Sequence, residues 1–148
     1  MTSERLREDF KAAMKAKDAF GLGILRMVMS AMSNLQIEKR SKGLPEELTE
    51  EDVMGVLSKE SKKRLDSVQQ FTEGGREDLA EGERKEAEFI AKYLPAQMTK
   101  EEIALVVDAV IARSASREFG AVMKEAMAEM RGKADGKAVG DAVKEKLG

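Results

Sequence analysis

The sequence contains no cysteine and no histidine. The missing thiols exclude a disulfide, a thiolate zinc site and a cysteine nucleophile. The missing imidazoles remove Ser/His/Asp and Cys/His arrangements together with the commonest transition-metal ligand. Any chemistry therefore falls to carboxylates, lysines or hydroxyls. Aromatic residues are few, five phenylalanines and one tyrosine, so platforms for stacking unpaired bases are poorly provided. Long apolar runs are missing as well. The most apolar stretches, Leu22 to Met32 and Ile103 to Ala112, are interrupted by Arg26 and Asp108 and are too short to span a bilayer. The N-terminal MTSERLREDF mixes charges of both signs and has no apolar run, which does not suit a secretory signal peptide, and the expected location is cytoplasmic. Nor is there an excess of one charge: 26 basic residues stand against 28 acidic ones, a net charge of -2. A nucleic-acid surface would have to be a local patch. Residues 113–148 lean that way, with eight basic and six acidic side chains.

What remains is a folded composition, 42% hydrophobic and 36% charged, in a chain of 148 residues. That length suits one ordinary domain or two small helical ones. Apolar residues recur at three- and four-residue spacing and nowhere alternate strictly, so the expected class is all-α. Leu6, Phe10, Ala13 and Met14 form a first stripe, with Thr2 or Ser3 as N-cap. A second helix is expected from Leu22 to Lys39, facing inward with Ile24, Leu25, Val28, Met32 and Leu35. TEED at Thr49 is a capping box opening a long helix whose face is Val53, Val56, Leu57, Leu65, Val68 and Phe71. The Gly74–Gly75 pair ends it. Leu79, Ala87, Ile90 and Leu94 mark a fourth helix, stopped by Pro95. TKEE at Thr99 is a second capping box, which makes residues 96–98 read as a hinge. Two helical subdomains are expected, about four helices in residues 1–95 and three short ones in 96–148: Lys100 to Arg113, Phe119 to Met130 and Gly136 to Leu147.

No residue is identified as catalytic, and no metal ligands or cofactor motif are found. Carboxylate groups such as Glu83, Glu86 and Glu88, or Glu125 and Glu129, read as solvated helix faces interleaved with lysines. Calcium-loop spacing and phosphate-cradling glycine motifs are absent. Adjacent Ser58–Lys59 and Ser61–Lys62 point in different directions on a helix and cannot share a proton. Two basic features remain as candidate nucleic-acid contacts. In KESKKR, Lys59, Lys62 and Lys63 share a broad helix face, with neighbouring acids as the alternative partners. The turn Arg131 to Lys137 sets Arg131, Lys133 and Lys137 around a Gly132 stop, an Asp135 N-cap and Gly136. Amides at a helix N-terminus beside such cations suit a phosphate, although glycine and aspartate there also make an ordinary helical hairpin. Methionine groups at Met27, Met29 and Met32 and at Met123, Met127 and Met130 read as core, with an adaptable partner groove as the alternative.

Several runs taken in order resemble the YqeY family, free-standing relatives of the tail of the B subunit of glutamine-dependent aminoacyl-tRNA amidotransferase. They are ERLREDFKAAMKAKD from Glu4, LRMVMSAMSNLQIEK from Leu25, KESKKRLDSVQQF from Lys59, GGREDLAEGE from Gly74, YLPAQMT from Tyr93 and GAVMKEAMAEMRGKADGKAV from Gly120. The resemblance implies a YqeY-like N-terminal helical domain and a C-terminal domain similar to the amidotransferase tail, which helps hold tRNA. It also implies that Gly132, Lys133, Ala134, Asp135 and Gly136 lie in the shared turn, with Val139 and Val143 packed behind it. The family is associated with carbon–nitrogen ligase activity using glutamine as amido donor, yet this sequence lacks the kinase and amidase parts such activity needs. The resemblance thus favours an accessory that recognises tRNA or docks on an amidotransfer assembly. A helical protein–protein adaptor, or an enzyme working through carboxylates alone, are the alternatives. Against the family pattern, SASREF at residues 114–119 is an unusual lead-in, and Gly21 with Gly23 is expected to loosen the start of the second helix, by about 1 kcal/mol per glycine.

Overall fold

Two threonines start the helices whose caps the sequence spells out. Thr49 accepts from the Asp52 amide while Asp52 accepts from the Thr49 amide, and Thr99 and Glu102 do the same. Each such cap contributes about 1 kcal/mol. The computed structural model describes residues 1–148 as seven α-helices without a strand. They are α1 (Thr2–Ala16), α2 (Ala19–Ser41), α3 (Glu50–Glu73), α4 (Glu77–Ala91), α5 (Lys100–Arg113), α6 (Phe119–Met130) and α7 (Gly136–Leu147). They form two compact units, Met1–Leu94 and Pro95–Gly148.

In the first unit, Leu6, Ile24, Leu25, Val28, Val53, Leu57 and Ile90 are buried together. Tyr93 closes this core. Its hydroxyl donates to Asp9, and the Arg5 guanidinium lies 4.7 Å above its ring. Burial, reinforced by the Asp9 carboxylate, pushes the phenol far above its ordinary pKa. Thr2 does not cap α1 as expected. It lies inside the first turn, and its amide and hydroxyl both donate to Glu50 at the start of α3. Gly21 has a structural role at the start of α2. Asp18 caps that helix by accepting from the Gly21 amide at 3.1 Å, and a Cβ on Gly21 would stand 2.5 Å from the same carboxylate and 3.4 Å from Phe89. The glycine is what lets the cap and the α4 ring approach together. Of the Gly74–Gly75 pair, only Gly75 takes the left-handed conformation, at φ 74°.

Four residues expected on inner faces are exposed: Met14, Met27, Leu65 and Leu79. On α3 the buried positions that follow Leu57 are Glu60 and Arg64 instead. Arg64 Nη1 donates to both the carbonyl and the carboxylate of Glu60 at 2.9 Å, and Nη2 reaches Met27 Sδ at 3.5 Å. Arg64 Nε lies 3.8 Å from Glu86 on α4, inside ion-pair range but beyond hydrogen-bond reach. Glu83 completes the group, and burial with the adjacent Glu86 charge raises its pKa. A raised pKa means Glu83 favours the folded state at acid pH and loses that contribution as pH rises through its folded value. Replacing Glu83 by Gln is therefore expected to raise the urea midpoint at pH 7, with the difference from wild type vanishing near pH 4. An unchanged midpoint at pH 7 would count against the carboxylate pair.

Beyond Arg64 the α3–α4 pair continues as a two-helix arm. None of residues 65–84 belongs to the core of the unit, and the nine residues from Leu65 to Glu73 extend α3 by about 13 Å. Within the arm Ala80 is fully buried, and Val68 and Phe71 are half-buried.

The second unit packs Ile103, Val107 and Val110 of α5, Val122, Ala126 and Met130 of α6, and Val139 and Val143 of α7. Met123 and Met127 pack against this core. Their methyl groups lie over the α7 glycines, Met127 Cε at 4.0 Å from a Cβ built on Gly136 and Met123 Cε at 3.7 Å from one on Gly140. In this unit the methionines fill space between helices. In the other unit Met32 is buried and Met27 is exposed, where it receives Arg64.

Candidate nucleic-acid interface

The turn between α6 and α7 is built from backbone outward. After Met130, Arg131 has an extended ψ of 127° and Gly132 a left-handed φ of 79°. The amides of Lys133 and Ala134 both donate to the Met130 carbonyl, at 2.9 and 3.1 Å. Only glycine adopts the required conformation without strain, so the stop expected at Gly132 is a backbone necessity. Asp135 occupies the N-cap position of α7 with extended backbone, and its carbonyl accepts from Val139 at 3.0 Å. Its carboxylate does not cap the helix as the sequence suggested. The first-turn amides of α7 thus receive no side-chain cap.

Two further residues, with no local pattern to mark them, brace the turn. The Met98 amide donates to the Lys133 carbonyl at 2.8 Å, and Gln97 Nε2 donates to the Gly132 carbonyl at 3.1 Å. Gln97 also reaches the Pro95 carbonyl at 3.1 Å. Residues 97 and 98, expected to act as a hinge, are anchored to this turn. Both partners are backbone carbonyls 35 positions away, invisible to local pattern.

Arg131, Lys133 and Lys137 are all exposed along this braced segment, while Gly132 and Gly136 are half-buried beneath them. Lys137 lies in the first turn of α7, which contains no acidic residue. A cation there opposes the helix macrodipole, and an anion bound at the first-turn amides would relieve that conflict. Val139 and Val143 are fully buried behind the turn. On α3 of the other unit, Lys59, Lys62 and Lys63 are exposed, and Lys63 pairs with Glu60 at 3.3 Å. The six candidate cations thus fall into two sets, one in each unit.

No group of three or more carboxylates is placed to hold a metal ion, and no helix is long and apolar enough to cross a membrane. Two surface clefts occur in the first unit, one beside Thr2, Arg5 and Glu50, the other beside Phe10, Arg26 and Asn34. Neither is lined by Glu60, Glu83 or Glu86, two of which pair with Arg64.

Comparison with known proteins completes this picture. The family described as Yqey-like protein matches residues 3–147. Among similar curated proteins are three named altered inheritance of mitochondria protein 41, mitochondrial. That of Clavispora lusitaniae is 32% identical over 126 residues, covering 81% of this chain and 71% of the relative. That of Candida glabrata is 35% identical over 89 residues, covering 60% and 47%, and that of Kluyveromyces lactis 34% identical over 105 residues, covering 69% and 55%. The matched part of the chain thus spans only about half the length of the latter two. The expected cytoplasmic location is overturned by these relatives, which are named as mitochondrial proteins. A mixed-charge N-terminus argues only against a secretory signal and carries no information about an organelle. From residue 3 to residue 147, the chain belongs to the Yqey-like protein family.

Proposed function

We propose that this protein is a non-catalytic accessory of glutamine-dependent tRNA amidotransfer, which recognises tRNA or docks on the tRNA-linked assembly through the basic turn Arg131–Lys137. The observation that carries this reading is Lys137 in the first turn of α7, close in sequence to the exposed Arg131 and Lys133. Such a start offers backbone amides and side-chain cations to the same phosphate. The brace from Gln97 and Met98 supports it, because a held turn loses less freedom on binding. Lys59, Lys62 and Lys63 would serve as a second, weaker set of backbone contacts. The resemblance implies a YqeY-like N-terminal domain and a C-terminal domain similar to the amidotransferase tail, which fits an accessory role with carbon–nitrogen ligase chemistry supplied by associated subunits.

Replacing Arg131, Lys133 and Lys137 together by alanine tests the reading. The expected result is weaker binding to unfractionated tRNA, with the slope of log K against log salt flattened by roughly 2–3, close to one for each lost phosphate contact. All three side chains are exposed, so circular dichroism should show an unchanged helical fold. Binding with the wild-type affinity and salt slope would overturn the proposal.

A further inference from the structure

We propose that the α3–α4 arm, residues 65–84, is a docking surface for a basic amphipathic segment of a protein partner. The arm lies outside the core of its unit, so its side chains are not needed to bury Leu57 or Ile90. Yet it is not a purely solvated projection. Leu65 is 54% exposed and Leu79 40% exposed, one on each helix. Large aliphatic groups on a two-helix arm gain nothing from water, and their burial against a partner is favourable by about 25 cal/mol per Å².

Charge selects the partner. The arm holds five carboxylates at exposed positions, Asp66, Glu73, Glu77, Asp78 and Glu81, against two arginines, a negative excess larger than the -2 of the whole chain, with Glu83 half-buried at its base. Both arginines are already held by arm carboxylates: Arg76 by Asp78 at 3.1 Å, and Arg84 by Glu81 and by Glu77 at 3.4 Å. The uncompensated charge is therefore negative, which repels nucleic acid and anionic lipid and attracts lysine and arginine. The carboxylates are spread along two helices without forming a metal-holding group. What fits negative charge around scattered aliphatic anchors is a cationic segment with its own apolar side chains, the form in which amphipathic helices are commonly recognised. The arm is also set in place at its base. Arg64, gripped by Glu60 and Met27 and facing Glu86, ties α2, α3 and α4 together where the arm leaves the core.

The test uses the full chain and a fluorescent amphipathic leucine–lysine peptide, with oligolysine and a single-stranded oligonucleotide as comparison probes. Anisotropy should show binding of the leucine–lysine peptide, weakened about tenfold in the double variant Leu65→Ala, Leu79→Ala and again in Asp66→Lys, Glu73→Lys. Amide exchange should show protection by the peptide concentrated in residues 65–84. Both variants alter exposed positions, and matching thermal unfolding with wild type verifies that the fold is retained. No peptide binding, equal binding of oligolysine, wild-type affinity in the leucine variant, protection centred outside the arm, or displacement of the peptide from the arm by the oligonucleotide would each overturn the proposal.

Discussion

Arg64→Met alone is expected to lower unfolding stability by about 3–5 kcal/mol, the loss that follows when one partner of a buried ion pair is removed and the other stays behind. The Arg64 side chain is only 4% exposed, and Glu60 beside it is 9% exposed. Burial by itself pushes the Glu60 carboxyl up, but the hydrogen bonds and charges of Arg64 and Lys63 outweigh it and hold its pKa below the ordinary value. The pair therefore contributes stability above the unfolded carboxylate pKa and loses it as pH falls through the folded one. Without Arg64, the Glu60 carboxylate keeps only the exposed Lys63, at 3.3 Å, as a cationic partner. The double variant Glu60→Leu, Arg64→Met removes both charges and should recover most of the loss. Urea unfolding of the two variants at pH 7 measures the contrast. Equal destabilisation by the single and double changes would mean that packing of the arginine stem, rather than charge pairing, holds the arm to the core.

The same residue explains where the sequence misleads. Leu6 and Ala13, Leu57 and Arg64, and Ala80 and Ala87 are buried pairs seven apart, although Val56 and Arg64, at the edges of the α3 stripe, are buried eight apart. Three of the residues wrongly expected inside lie eight from a buried one: Met14 from Leu6, Leu65 from Leu57, Leu79 from Ala87. At about 100° per residue, seven positions return to within about 20° of the starting direction, whereas eight overshoot by about 80°. A broad apolar stripe hides that difference, and an arginine on the true line argues against itself by polarity. Helix starts were legible because capping is local. Thr49 with Asp52 and Thr99 with Glu102 need only four consecutive residues. Thr2 was misread because its partner, Glu50, is distant in sequence.

The candidate interface was legible to the same extent. Gly132 and the exposed Arg131, Lys133 and Lys137 follow from composition and turn chemistry within seven residues. The brace from Gln97 and Met98 does not, because a side-chain amide bonded to a remote carbonyl leaves no pattern in either segment. The Asp135 carboxylate also departs from local expectation. Aspartate before a helix usually caps it, and here only its backbone does so. That difference bears on function, because a carboxylate lying on the first-turn amides would compete with a phosphate for the same donors.

Met130 joins core to turn, and its replacement by alanine should have the second large effect. Its side chain is 1% exposed among α5, α6 and α7, and its carbonyl accepts the Lys133 and Ala134 amides that fold the turn. Truncation leaves a cavity at the base of that turn and is expected to destabilise by about 2–5 kcal/mol. For the three-helix unit Pro95–Gly148, whose small size limits its core, a loss of that magnitude is comparable to its whole stability. Hydrogen exchange of Met130→Ala should therefore show rapid exchange across α5, α6 and α7 while Met1–Leu94 keeps its protection, and tRNA binding should be lost with it. Met130→Leu preserves volume and should cost under about 1.5 kcal/mol, so it separates packing from any special role of the thioether. Exchange that rises equally in both units would show that the smaller one does not unfold by itself. Retained tRNA binding with α5, α6 and α7 unfolded would move the interface away from the Arg131–Lys137 turn and onto the lysines of α3.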